Sequence, residues 1–99
     1  MTWDLSNSSI LPELIQNIKA FLSSLPIVSF VSIDASTAMI SGSLDNTEYS
    51  RKDHFTIQII QKQPKQYVVE LKYGSDPPLS TEFAHLANSL DKRLKRNNS

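Results

Sequence analysis

The stretch HFTIQIIQKQPKQYVVELKYG, His54 to Gly74, decides how this chain folds. Phe55, Ile57 and Ile59 alternate with polar partners, and Tyr67, Val69, Leu71 and Tyr73 do the same after a short break. Glu70 and Lys72 fall on the opposite phase. Period-two alternation places successive side chains on opposite faces of a strand, so the stretch predicts two strands with one buried and one wet face. The polar break, Lys62 to Lys65, is the turn between them. A sheet with one apolar face needs a cover, and the flanking segments supply candidates for it.

Towards the N-terminus, Thr2 to Leu5 reads as a short strand with Trp3 and Leu5 on one face, followed by a polar turn, Ser6 to Ser9. Pro12 suits the first turn of a helix, where its missing N–H costs nothing, and Ser8 or Ser9 is the nearest good cap. Leu14, Ile15, Ile18, Phe21, Leu22 and Leu25 recur at helical spacing until Pro26 stops the helix. Ile27 to Ile33 reads as a strand with apolar residues on both faces. Ala35 to Ser43 reads as a second strand, joined by a tight turn around Asp34 to Ser36. The polar run Asp45 to Asp53 is expected to be a mobile loop.

Beyond the hairpin, Gly74 to Pro78 ends the strand, with Pro77 and Pro78 as a brake, and Ser80 or Thr81 caps a last helix. Phe83, Leu86, Ala87, Leu90 and Leu94 form its inner stripe. Glu82 in its first turn and Lys92, Arg93, Lys95 and Arg96 near its end complement the helix dipole. The fold class expected is a two-layer α+β domain: two helices packed on one face of a small antiparallel sheet of four or five strands. At 99 residues the chain is expected to be one domain.

Several functions find no residues to carry them. The chain has no cysteine, and its only histidines, His54 and His85, lack a second ligand at metal-site spacing. Gly42 and Gly74 are the only glycines, and neither opens a phosphate-cradling loop. No nucleophile elbow or other catalytic constellation is present. No catalytic residue, metal or cofactor is therefore expected. No apolar run approaches the roughly 18 residues of a membrane span.

Charge is the strongest functional signal. The net charge is zero. Residues 1–50 carry a single basic residue, Lys19, against Asp4, Glu13, Asp34, Asp45 and Glu48, whereas residues 51–99 carry an excess of Lys and Arg. This asymmetry points to an anionic partner. Lys62 and Lys65 at the hairpin turn form one candidate contact for anionic lipid. Lys92, Arg93, Lys95 and Arg96 form the other. A protein-docking surface would need exposed apolar residues, and Val28, Phe30 and Ile40 are the candidates, because both strand faces are partly apolar there.

The segments TWDLSNSSILPELIQNI (2–18), HFTIQIIQKQPKQYVVELKYGS (54–75) and TEFAHLANSLDKRLK (81–95) together resemble the kinase-associated 1 domain. That domain lies at the C-terminus of certain serine/threonine kinases, among them the microtubule-affinity-regulating kinases. The family opens with an aromatic strand, a polar turn, a proline and an amphipathic helix. It continues with a strand pair ending in a basic dipeptide before a Ser-Gly turn, and closes with a helix that has an aromatic anchor. Lys72 falls on the first basic position of that dipeptide; Tyr73 stands at the second, and Gly74 and Ser75 reverse the turn order.

The resemblance implies a non-catalytic C-terminal regulatory fragment of a longer serine/threonine kinase, cytoplasmic and peripheral to the plasma membrane. It would bind anionic phospholipids, with Lys72 added to the lipid contacts, and contribute to membrane targeting or autoinhibition. Docking onto its own kinase domain or a regulatory subunit is the alternative. The coarse element order also resembles the Alu-binding subunits of the signal recognition particle, but a zero net charge and a weakly basic sheet argue against nucleic acid.

Overall fold

The computed structural model describes residues 1–6, 10–47, 50–74 and 81–97, with Arg96 and Asn97 described by their backbone alone. Its elements are β1 (Thr2–Ser6), α1 (Leu11–Ser23), β2 (Val28–Asp34), β3 (Met39–Asn46), β4 (Arg51–Gln63), β5 (Gln66–Tyr73) and α2 (Thr81–Asn97). All neighbouring strands run antiparallel in the order β1-β5-β4-β3-β2. The last four strands form a meander, and β1 adds outside β5. Helix α1 carries the chain from one edge of the sheet to the other.

Both helices cover one face of this five-stranded sheet, which is the α+β arrangement expected. From the helices, Leu14, Ile15, Ile18 and Leu22 of α1 and Phe83, Leu86, Leu90 and Leu94 of α2 share one buried cluster. From the sheet, Trp3, Leu5, Ile40, Leu44, Phe55, Ile57, Ile59, Tyr67, Val69 and Leu71 are buried beneath them. The cross-strand partners Ile40, Ile57 and Leu71 lie in one row across β3, β4 and β5. The Phe55 ring lies over Gly42, its partner on β3; a Cβ added to Gly42 would sit 2.5 Å from Phe55 Cζ. The absent side chain is what lets the ring lie flat against the sheet.

Helix α1 begins after Ile10, which makes no side-chain cap bond; Ser8 and Ser9, the expected caps, lie outside the described residues. At its other end the Ser24 hydroxyl donates to the Phe21 carbonyl at 2.6 Å, two residues before Pro26. Helix α2 starts at Thr81; Ser80, Pro77 and Pro78 lie outside the described residues.

Two expectations about the middle of the chain need correction. Strand β3 starts at Met39, not Ala35, because the Asp34 carboxylate accepts from the Ser36 N–H (3.1 Å) and hydroxyl (2.6 Å) and closes a longer turn. Ala38 completes that turn in the left-handed region at φ 53°. The polar run Asp45 to Asp53 is mostly sheet: Asp45 pairs with Lys52 and Asn46 with Arg51. Polar side chains that satisfy one another across strands carry the ladder past the last apolar residue. Of that run, Glu48 and Tyr49 lie outside the described residues.

Candidate anion-binding groove

The basic end of α2 is divided by the helix itself. Leu90 and Leu94 point into the core, so the residues between them fall on two flanks. On the flank towards β1, Asp91 Oδ1 accepts from Trp3 Nε1 at 2.7 Å, and Lys95 Nζ lies 3.1 Å from Asp91 Oδ2. The Trp3 hydrogen bond, with help from Lys95, holds the Asp91 carboxyl below the ordinary carboxylate range. Lys95 is therefore committed to a structural pair.

The flank towards α1 differs. The Arg93 guanidinium lies over the Phe21 ring, 5.8 Å from its centroid. Its Nε is buried and meets no acceptor. Phe21, Ser89, Lys92 and Arg93 line a cavity of about 360 Å³ between the two helices. Phe21 is only half-buried, on the margin of the α1 stripe, which frees its ring for this contact. The guanidinium thus rests on an aromatic face and keeps one buried donor without an acceptor. Arg96 follows four residues after Lys92 on the α2 backbone; its side chain lies outside the described residues.

The remaining basic candidates lie elsewhere. Lys62 and Lys65 occupy the β4–β5 hairpin end, where Lys65 takes φ 65° and the register shifts between Gln61 and Gln63. Lys72 lies on the outer sheet face, 3.2 Å from Glu70. The structure thus joins Lys92 with Arg93 and separates both from Lys62, Lys65, Lys72 and Lys95. Among the described residues, Lys62, Lys65 and Lys92 have no ion-pair partner.

The three docking candidates also part company. Ile40 is 0% exposed, in the row that includes Ile57, and has no surface to offer a partner. Val28 is half-buried against the core. Phe30 is 59% exposed. A bulge separates the latter two: Val28 pairs with Leu44 and Phe30 with Ser43, so Ser29 is an extra residue that turns Phe30 to the outer face.

One feature escaped the sequence reading. Asp53 is 0% exposed, on the inner face and in phase with Phe55. Asn46 Nδ2 donates to its Oδ2 at 3.0 Å, and Arg51 Nε to its Oδ1 at 3.0 Å. Nearby, Glu82 Oε1 accepts from the Thr47 N–H (3.4 Å) and hydroxyl (3.2 Å), tying the start of α2 to the end of β3. The alternation Asp53, Phe55, Ile57 was the available signal. A cavity of about 520 Å³ beside this cluster is lined by Asp45, Asn46, Thr47, Ser50, Arg51 and Lys52. Its cations are already paired, Lys52 with Asp45 at 2.8 Å and Arg51 with Asp53.

Among the described residues no group of three acidic, histidine or cysteine side chains is placed to hold a metal, and no helix is long and apolar enough to cross a membrane. His54 and His85 are both exposed. No protein-family model matches the chain, and no curated protein is similar to it at a significant level.

Proposed function

We propose that this chain is a non-catalytic binding module for anionic phospholipid headgroups, received in the groove between α1 and α2. The observation that carries the reading is Arg93: a cation stacked on Phe21, its Nε buried without an acceptor, beside Lys92 and the Ser89 hydroxyl. A headgroup phosphate would supply the missing counter-charge and accept from Ser89. The resemblance to kinase-associated 1 domains agrees with this role, and by it the module would regulate a serine/threonine kinase at a membrane surface.

The magnitudes favour a weak, reversible attachment. Each basic residue near an anionic surface contributes about 1 kcal/mol, so Lys92 and Arg93 together contribute about 2 kcal/mol. An RNA-binding sheet is the poorer reading. Tyr67 is buried and Tyr73 half-buried on the helix-covered face, and Lys72 and Lys52 on the outer face are paired with carboxylates.

Co-sedimentation with vesicles tests the proposal. Binding is expected to rise with the phosphatidylserine or phosphoinositide fraction, fall with salt, and vanish in the Lys92→Glu/Arg93→Glu double variant. Equal association with neutral and anionic vesicles, or association unaffected by that double variant, refutes it.

A further inference from the structure

The lining of the α1–α2 groove holds donors and no acid. Phe21, Ser89, Lys92 and Arg93 form it, with no carboxylate among them. Asp91, the acid that precedes Lys92 in the chain, is turned to the opposite flank, where it accepts from Trp3 and pairs with Lys95. A group bound in the groove therefore meets two cations and a hydroxyl. On the outer sheet face the same kinds of cation lie beside carboxylates, Lys52 with Asp45 and Lys72 with Glu70.

Arg93 adds a geometric constraint. Its donor without a partner is Nε, which shares one edge of the guanidinium with a terminal nitrogen. Two parallel N–H bonds from such an edge fit two oxygens of one phosphate. Ser89 lies three residues before Lys92 and four before Arg93, the spacings at which side chains are neighbours on a helix. Arg93 thus takes two phosphate oxygens, and Lys92 and Ser89 take a third. A phosphodiester has only two unesterified oxygens and one negative charge. A phosphomonoester has three, with a charge of about −1.5 to −2 near neutral pH. Phosphatidylserine also carries an ammonium, which would meet Lys92 and Arg93 with no carboxylate in the lining to receive it.

We infer that the groove selects a phosphomonoester: a lipid headgroup with a terminal phosphate, as in phosphatidic acid or a phosphoinositide, in preference to the phosphodiester of phosphatidylserine. This rests on the phospholipid reading above and narrows it. Lys62 and Lys65, exposed at the hairpin end, are point charges that respond to any anionic bilayer. Selectivity between headgroups belongs to Ser89, Lys92 and Arg93.

Two sets of phosphatidylcholine vesicles, one with phosphatidic acid and one with phosphatidylserine at matched surface potential, test the inference by co-sedimentation. The chain is expected to bind the phosphatidic acid set about fivefold more tightly. Arg93→Lys keeps the charge and loses the two-pronged edge, and is expected to weaken that binding about fivefold while changing phosphatidylserine binding less than about twofold. Ser89→Ala, which removes no charge, is expected to weaken it about threefold with phosphatidylserine binding unchanged; it decides the matter alone should Arg93→Lys lose stability. Titration of the lipid-free chain with glycerol 3-phosphate, and separately with its phosphodiester glycerophosphoglycerol, identifies the source of the phosphate: the Arg93 Nε–H resonance is expected to shift with the monoester and not with the diester. Equal binding to the matched sets overturns the inference and leaves the phospholipid reading standing, as does a preference that survives both variants. A shift with glycerol 3-phosphate but no binding to either vesicle set makes the ligand a soluble phosphomonoester and overturns the lipid headgroup, and the reading above with it. No shift and no binding overturns both.

Discussion

On the outer face of the sheet Lys72 lies 3.2 Å from Glu70, and Lys52 lies 2.8 Å from Asp45. In the groove between the helices Arg93 lies over a phenyl ring and its Nε meets no acceptor. Both regions contain basic residues, but those of the outer face lie beside carboxylates, whereas Arg93 lies beside a ring. On a strand, residues two apart share a face, so Glu70 reaches Lys72; across strands, the Asp45–Lys52 register does the same. The α2 residues nearest Arg93 on its own flank, Ser89 and Lys92, carry no acid. Pairing, more than the count of lysines, distinguishes the two regions.

The two faces of the sheet should differ most in stability. Ile57→Ala, under the helices, is expected to cost about 2–5 kcal/mol, whereas Ile60→Ala on the outer face should cost less than about 0.5 kcal/mol. Urea titration of both variants measures the difference, and similar losses would mean that the outer face is covered too. Next in size is the buried polar cluster. Asp53→Ala removes the carboxylate that accepts from Asn46 Nδ2 and Arg51 Nε, and since Arg51 is partly exposed the expected loss is about 2 kcal/mol. The paired charges of the outer face make the control: Lys72→Ala should change stability by less than about 0.5 kcal/mol.

Vesicles distinguish the two kinds of cation. Arg93→Gln is expected to lower affinity for anionic bilayers about fivefold, the equivalent of about 1 kcal/mol, and Lys72→Gln by less than about twofold. Equal effects would reduce the groove to one part of a diffuse field.

The smallest effect concerns the other flank of α2. Asp91 has its pKa lowered in the folded state, so the unfolded chain binds the proton more readily. Its contribution to stability is therefore complete above the ordinary carboxylate pKa and is lost as pH falls through the lowered folded value. Below about pH 4 the thermal midpoint of the parent protein should fall more steeply than that of Asp91→Asn. Trp3 is the only tryptophan, and its emission reports the loss of the Asp91 contact directly.

The hairpin His54 to Gly74 and the stripes of α1 and α2 were legible because their signals are local. Alternation of period two and spacing near 3.6 residues need no knowledge of the rest of the chain. From these, the chain alone determined two helices over one face of an antiparallel sheet. Tertiary structure decided the rest. Phe30 points outward because a bulge at Ser29 changes the phase of β2, whose apolar residues on both faces left that phase open. Ile40 went inside because its partners are Ile57 and Ile33. Asp53 could be buried only once Arg51 and Asn46 converged on it through the β3–β4 register. Lys92, Arg93 and Lys95 look alike in sequence. They acquired different fates because Phe21, far away in the chain, and Trp3, farther still, stand on opposite flanks of α2. Long-range partners fix the energy of a charge, and no window of sequence contains them.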